Sequence, residues 1–341
     1  MGYKAEKEKM EKQLKRLKMI CFSIVAFCFL GLCIFSAFVP PSTWKYKVGL
    51  PNVEKRAKGE LRAHFIDVGQ GDATLVEFPN GKVMLIDGGD GSSGATKSLL
   101  RYMNALKIDE IDDLILTHSD EDHCGGLAKV LDTKKVFNAY LPPSFPESGT
   151  KYAQYYAKLF KTDCKTYFTS RLIQFSCHAP TDFMYPYSVQ CLYPYSKMVE
   201  DILAGDKTVN ASNEASSVLY IQYAGVKVLL MGDAPQSVEE KLSMDDEVGA
   251  WESAGISLQG VSVLKVSHHG SATGTSLQFL QYLGVKDGII SCGAGNSYNH
   301  PAPETLARLA QANVNVYRTD VRSHIVLTVT ADGQYSIDSL S

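Results

Sequence analysis

The chain has 341 residues, 45% of them hydrophobic and 21% charged, with a formal net charge of −3. That balance excludes an intrinsically disordered protein, and the length allows one large domain or two modest ones. Residues 1–18 hold seven Lys/Arg against three Glu and residues 40–60 hold five against two, so the remainder is acidic and disfavours indiscriminate binding to a polyanion.

Residues 1–18 read as a basic cytoplasmic tail. Residues 19–39 are 21 consecutive positions without a formal charge. About 20 such residues span a bilayer core as a transmembrane helix. The run exceeds the roughly 7–15 residues of a signal-peptide core, so it reads as an uncleaved anchor. The Lys-rich flank assigns the N-terminus to the cytoplasm. The expected localisation is therefore a single-pass cell-membrane protein with its globular part extracytoplasmic. Pro40 and Pro41 end the apolar run, and 40–60 read as a linker.

From residue 61 short apolar runs alternate with Gly, Asp and Asn, and a globular domain is expected over 61–341. Strands are predicted over 63–68, 73–78 and 83–86, with Pro79-Asn80-Gly81 as a hairpin turn. Helical spacing follows over 95–106, then a strand over 112–117 and a helix over 127–131. The stretch 138–210 differs: nine of the 18 tyrosines lie between Tyr140 and Tyr195. It reads as an insertion whose aromatics mainly pack it and whose loops overhang the site. Beyond it come a hairpin (218–223 and 226–231, turning at Ala224-Gly225), a strand over 261–266 and a helix over 277–283. A strand over 288–291, a helix over 303–312 and a strand over 325–330 complete the pattern. The eight cysteines have no CxxC spacing, which argues against a structural zinc knot. In an extracytoplasmic domain, two of Cys164, Cys177 and Cys191 can form a disulfide, the pair being left open.

The chemistry concentrates in three strand-then-ligand motifs. The first, Leu116-Thr-His-Ser-Asp-Glu-Asp-His-Cys-Gly-Gly126, puts His118, Asp120, Asp122 and His123 within six residues after an apolar strand. Imidazole and carboxylate at that density suit a borderline or hard divalent cation, whereas packing does not call for them. The second ends the strand at Gly232-Asp233, where a carboxylate can bridge two ions. The third is Ser267-His268-His269-Gly270-Ser271. In extended chain His268 and His269 would point opposite ways, leaving one as ligand and the other for substrate or for orienting a ligand. His178 lacks a ligand context and reads as structural or surface.

The spacing His118-x-Asp120-x-Asp122-His123 resembles the metallo-β-lactamase superfamily signature H-x-H-x-D-H with its second His replaced by Asp. Together with Phe65-Ile-Asp-Val-Gly-Gln-Gly-Asp72, Asp87-Gly-Gly89, Asn213 to Val218 and Asn299-His-Pro301, it is similar to the ComEC-like branch, the hydrolase domain of competence proteins, over about residues 61–332. The resemblance implies an α/β fold, an αββα sandwich with metals at one edge, and hydrolysis of a phosphodiester. The multi-helix channel region of ComEC is lacking, so the chain cannot itself be a DNA channel. In this branch Asn213 and Ser216 stand where the superfamily usually has a third-motif His. One site is then oxygen-rich, which admits manganese beside zinc as the pair of divalent cofactors.

On this reading His118, Asp120 and bridging Asp233 hold one ion, and Asp122, His123, Asp233 and His268 or His269 the other. A bridging hydroxide attacks phosphorus. His269 and His300 are candidates for leaving-group protonation or phosphate contact. Asp67, Asp72, Asp87 and Ser271 orient ligands, shape turns or meet substrate. Three function classes follow: a nuclease or phosphodiesterase acting on DNA or RNA, a hydrolase of envelope phosphodiesters of the teichoic-acid or phosphocholine type, and a non-catalytic binding module retaining the fold. The Asp-for-His variant speaks against a β-lactamase role.

Overall fold

The computed structural model describes residues 2–38, 41–177, 184–205, 213–244 and 253–340. His178 and parts of the Tyr-rich stretch lie outside them. The chain divides into two compact units, Met1–Val48 and Gly49–Ser341. The first is a helix over Gly2–Phe38 followed by a 3-10 turn over Pro41–Tyr46. Within it Glu6–Ser36 is long and apolar enough to cross a membrane. The hydroxyl of Ser36 donates to the Leu32 carbonyl at 2.7 Å, which satisfies a polar group inside the helix itself.

The described residues of the second unit form fourteen strands in two sheets. The strands are β1 (Leu61–Phe65), β2 (Thr74–Glu77), β3 (Val83–Ile86), β4 (Glu110–Ile115), β5 (Lys135–Leu141), β6 (Lys165–Phe168), β7 (Tyr187–Tyr193), β8 (Val218–Tyr223), β9 (Val226–Leu230), β10 (Val263–Lys265), β11 (Asp287–Ile290), β12 (Asn315–Arg318), β13 (His324–Val329) and β14 (Tyr335–Leu340). One sheet runs β14-β13-β1-β2-β3-β4-β5-β6 and the other β12-β11-β10-β9-β8-β7. Strands β3 to β6 are parallel, as are β9 to β12, and the remaining neighbours are antiparallel.

Alternation along the strands assigns each residue a layer. Phe65, Met84, Ile115, Leu219, Ile221, Val228 and Leu230 meet between the sheets. Val218, Tyr220, Leu229 and Met231 point to the other side of their sheet, against the helices Gln236–Leu242, Leu277–Leu283 and Pro303–Gln311. The helix Ser93–Ala105 buries Leu99, Leu100, Tyr102 and Met103. Four layers, helix, sheet, sheet and helix, are thus the αββα sandwich expected. The helix boundaries are chemical: Ser276 accepts from the Phe279 amide at 3.2 Å, and Gly284 ends that helix in the left-handed region at φ 59°.

Three expectations are revised. The stretch 138–210 is woven into the sandwich, because its strands β6 and β7 extend the edges of the two sheets. Its tyrosines 140, 152, 155, 187 and 193 are buried, so they serve as core. Cys164, Cys177 and Cys191 are free thiols, Cys177 and Cys191 lying buried among apolar side chains. Residues 49–60 belong to the larger unit. Arg56 donates to the Pro79 carbonyl at 3.4 Å, and Arg62 to that of Glu54 at 2.7 Å.

Phe65 closes the inter-sheet core directly before the loop that carries Asp67 and Asp72. Phe65→Ala is expected to cost about 3–5 kcal/mol. Urea unfolding followed by circular dichroism should show a lower midpoint at unchanged slope.

Candidate metal centre

Every candidate ligand follows the carboxyl end of a strand. Strands β1, β3 and β4 run in one direction, so the loops after them, carrying Asp72, Asp87 and His118 to His123, open at one edge. Strands β9, β10 and β11 also run together and bring Asp233, His268 with His269, and Ser291 to the same place. The loops are stitched by backbone bonds. The Asp72 amide donates to the Asp122 carbonyl at 3.1 Å, Gly88 to His123 at 2.7 Å and Gly89 to Asp72 at 2.8 Å. Only glycine suits position 71: φ is +133°, and a Cβ there would lie 2.3 Å from the Asp122 carbonyl oxygen.

Asp233 is the meeting point. Its carboxylate lies 3.3 Å from His123 Nε2, 3.5 Å from His268 Nε2, 3.6 Å from His269 Nε2 and 3.7 Å from His118 Nε2. Asp120 approaches His118 Nε2 at 3.7 Å, and Asp122 approaches His269 Nε2 at 3.1 Å. His118, His268 and His269 approach one oxygen of Asp233 and His123 the other, while Asp120 lies against His118 and Asp122 against His269.

His268 and His269 were expected to alternate, and they do not. Both are left-handed, at φ 49° and φ 54°, and both turn inward to Asp233. Alternation holds only for extended backbone. Each such non-glycine residue costs on the order of 1–3 kcal/mol, a strain that marks functional sites. Glu239 holds the loop that follows by accepting from the amides of Thr275 and Ser276.

The outer faces of the imidazoles are fixed. His123 Nδ1 donates to Asp87 at 2.8 Å, and His269 Nδ1 to the Ser291 carbonyl at 2.9 Å. The Thr117 hydroxyl gives its proton to Asp87 at 2.8 Å and so accepts from His118 Nδ1 at 3.1 Å. The Nδ1 side of each of these rings is thus engaged by protein, and Nε2 is the atom turned toward Asp233, the arrangement that orients metal-binding histidines. Around His268, Asn213 lies 3.5 Å and Thr273 3.3 Å from Nδ1, and Ser271 holds the Thr273 hydroxyl at 3.0 Å. Ser216 accepts from the Asp233 amide at 3.0 Å. Asp67 caps its own turn through the Gly69 amide at 3.0 Å and receives no ligand contact among the described residues.

Thr117 and Lys265 carry roles that the motifs did not announce. Lys265 Nζ sits 2.6 Å from Asp72 with both side chains buried. A lysine inside the apolar strand Val263-Leu-Lys-Val266 was the available signal, since a buried charge needs a partner. Asp72 belongs to a cluster with His123, Asp233 and His269 whose ligand atoms lie within 4.8 Å of one another. Its approaches to the two rings, 4.0 Å and 3.7 Å, are to Nδ1, and its charge is held by Lys265, so it supports the rings from outside.

The electrostatics suit a cation. Burial lowers the pKa of His118 to about 4, keeping it neutral and able to coordinate. Burial opposes the charge on Asp233, yet His123, His269 and His118 outweigh it and hold the carboxyl well below its ordinary range. Burial likewise opposes charge on His123, but Asp233 and Asp87 raise its pKa well above the usual value. His118 Nε2 and Asp233 Oδ1 are buried without a hydrogen-bond partner. Orphaned imidazole and carboxylate atoms facing one another fit a metal site, because a cation satisfies both. The open side is formed by Asp120, Asp122 and His268, with side-chain exposures of 47%, 30% and 27%. The His300 ring stands 5.6 Å from that of His268 and has a buried Nδ1 without a hydrogen-bond partner.

The family model for the metallo-beta-lactamase superfamily matches residues 66–294. The chain is 29% identical over 284 residues to ComE operon protein 3 of Bacillus subtilis, covering 77% of this chain and 32% of that protein. It is 28% identical over 264 residues to Recombination protein 2 of Haemophilus influenzae, covering 76% of this chain and 28% of that protein. The chain thus spans about a third of the length of the curated relatives it matches. Among solved structures, Zn(2+)-bound PqqB from Methylobacterium extorquens aligns with 10% identity and a TM-score of 0.43, covering 80% of this chain and 99% of that one.

Asp87→Ala removes the partner of both Thr117 and His123. Metal affinity is expected to fall about 10- to 100-fold by isothermal titration calorimetry, with the circular dichroism spectrum retained.

Proposed function

Because the chain belongs to the metallo-beta-lactamase superfamily, we propose that it is a membrane-anchored, dinuclear metal-dependent phosphodiesterase acting on DNA or RNA. One observation carries the reading: four imidazoles surround Asp233, and the carboxylates of Asp120 and Asp122 lie against two of them. A carboxylate with imidazoles at both of its oxygens could be shared by a pair of cations. His118, Asp120, His268 and Asp233 would hold one ion, and Asp122, His123, His269 and Asp233 the other. Zinc suits the imidazoles, and the oxygen content of both groups admits manganese. When bound, the cations supply Lewis acidity and lower the pKa of water toward neutrality.

The chain's own residues do the positioning. Asp87, Thr117 and Ser291 hold His118, His123 and His269 so that no reorganisation is needed when charge develops. Asp233 is held from its amide by Ser216. His300 stands beside His268 and His269 on the open side, where it meets a phosphoryl oxygen or gives a proton to the leaving oxygen. A similar protein with recombination in its name favours a nucleic-acid phosphodiester over an envelope one. The apolar helix within Glu6–Ser36 supports a single-pass anchor, and the lysines before its apolar run support an extracytoplasmic catalytic domain.

Asp122→Ala is expected to abolish hydrolysis of single-stranded and duplex oligonucleotides while the protein remains folded. Full activity of the purified variant with added Mn²⁺ or Zn²⁺ would count against the assignment. The full chain should sediment with membranes and resist carbonate extraction. Release by carbonate would remove the anchor from the proposal.

A further inference from the structure

One exposed aromatic has its ring against the candidate centre. Tyr298 is 65% exposed. Its ring centroid lies 5.8 Å from that of His300 with 25° between the planes. His300 in turn lies 6.2 Å from His269 at 27°. The three rings follow one another from a buried histidine to the surface, each tilted from the next, at 27° and 25°. Phe137, Phe145, Phe160 and Tyr167 are also exposed, but their described ring contacts are with Lys135, Phe168, Tyr156 and Tyr140.

The loop that carries Tyr298 is set by one side chain. Asn296 Oδ1 accepts from the amides of Tyr298 at 3.1 Å and His300 at 3.0 Å. Its Nδ2 donates to the carbonyls of Gly293 at 2.9 Å and His300 at 2.6 Å. The Gly293 amide donates to Gln70 at 3.2 Å, which ties the loop to the one carrying Asp72. The aromatic face is therefore presented to solvent at a fixed place beside the open side of the site. A lone exposed aromatic is ordinary on a surface. A fixed one, stacked on a histidine of the reaction centre, has a recognisable use.

We propose that Tyr298 is a stacking platform for an unpaired base, so that the substrate is single-stranded nucleic acid. The inference rests on the phosphodiesterase reading above and adds the substrate class. A base lies on the free face of the Tyr298 ring while the adjoining phosphodiester reaches His300 and the ligands around Asp233. Every base has a flat π face, so such contact tolerates sequence. In a duplex those faces are taken up by neighbouring bases, so the platform selects the unpaired strand.

The test uses the full-length protein in detergent with Mn²⁺, as wild type and as two variants, Tyr298→Ala and Tyr298→Phe. Steady-state cleavage is measured on a single-stranded oligodeoxynucleotide, the same strand carrying abasic sites, its duplex, and poly(glycerol phosphate). Tyr298→Ala is expected to raise KM on the base-bearing single strand about 5- to 100-fold with kcat changed under about twofold. Tyr298→Phe keeps the ring and should restore wild-type KM. On the abasic strand the Ala variant's loss should shrink to under about twofold. An equal loss on the abasic strand, or no loss on either, overturns the platform. Wild-type protein that cleaves poly(glycerol phosphate) but no nucleic acid overturns the substrate class while leaving the phosphodiesterase reading in force. Wild-type protein that cleaves none of the four overturns that reading, and this inference with it.

Discussion

A buried carboxylate, Asp233, sits among four imidazoles, and much of the molecule is organised around that fact. An ionised carboxyl taken out of water is expensive unless opposite charge and hydrogen bonds surround it. Here the surroundings are His118, His123, His268 and His269, all within 3.7 Å of its oxygens, with the Ser216 hydroxyl on its amide. The price is visible in the backbone, where His268 and His269 both adopt positive φ. Strain of this kind persists only where the surrounding structure over-determines it. The bonds of Glu239 to the amides of Thr275 and Ser276 supply that support for the loop following the histidines.

Strand polarity makes the convergence possible. Two sheets meet through an apolar layer, and in each the strands that bear ligands run the same way. Their carboxyl ends open at one edge, where loops carry function on a rigid scaffold. The loops then brace one another through backbone bonds among residues 72, 88, 89, 122 and 123. Side chains too large for that approach are excluded at Gly71, so the closeness of the loops is written into residue size. The ion pair of Lys265 and Asp72 adds a charge anchored in the core, behind the two imidazoles it supports.

The two sides of the site differ in kind. Toward the core, His118, His123 and His269 are buried, with their outer nitrogens engaged by protein groups. Toward solvent, Asp120, Asp122, His268, His300 and Tyr298 keep exposed surface. A fixed inner half and an accessible outer half suit chemistry that is constant and recognition that is adjustable. The chain spans only about a third of the length of its curated relatives.

Much of this was legible from residue order alone. The short apolar runs announced β1 to β4, β8 to β11 and β13, because a strand buried on one or both faces must be largely apolar. The four-residue density of His118, Asp120, Asp122 and His123 announced metal chemistry, since no packing role asks for it. Strands β5, β6, β7, β12 and β14 were not announced. Three of these, β6, β12 and β14, contain no buried residue, and β6, β7, β12 and β14 are the edges of the two sheets. What only the tertiary structure decided was direction. Residue order implied that one of His268 and His269 faces away, and the left-handed turn brings both to Asp233. Likewise no spacing could reveal that Thr117 links His118 to Asp87 or that Lys265 meets Asp72. Composition and period are local properties of a chain, whereas the aim of a side chain depends on backbone dihedrals and on partners up to hundreds of residues away.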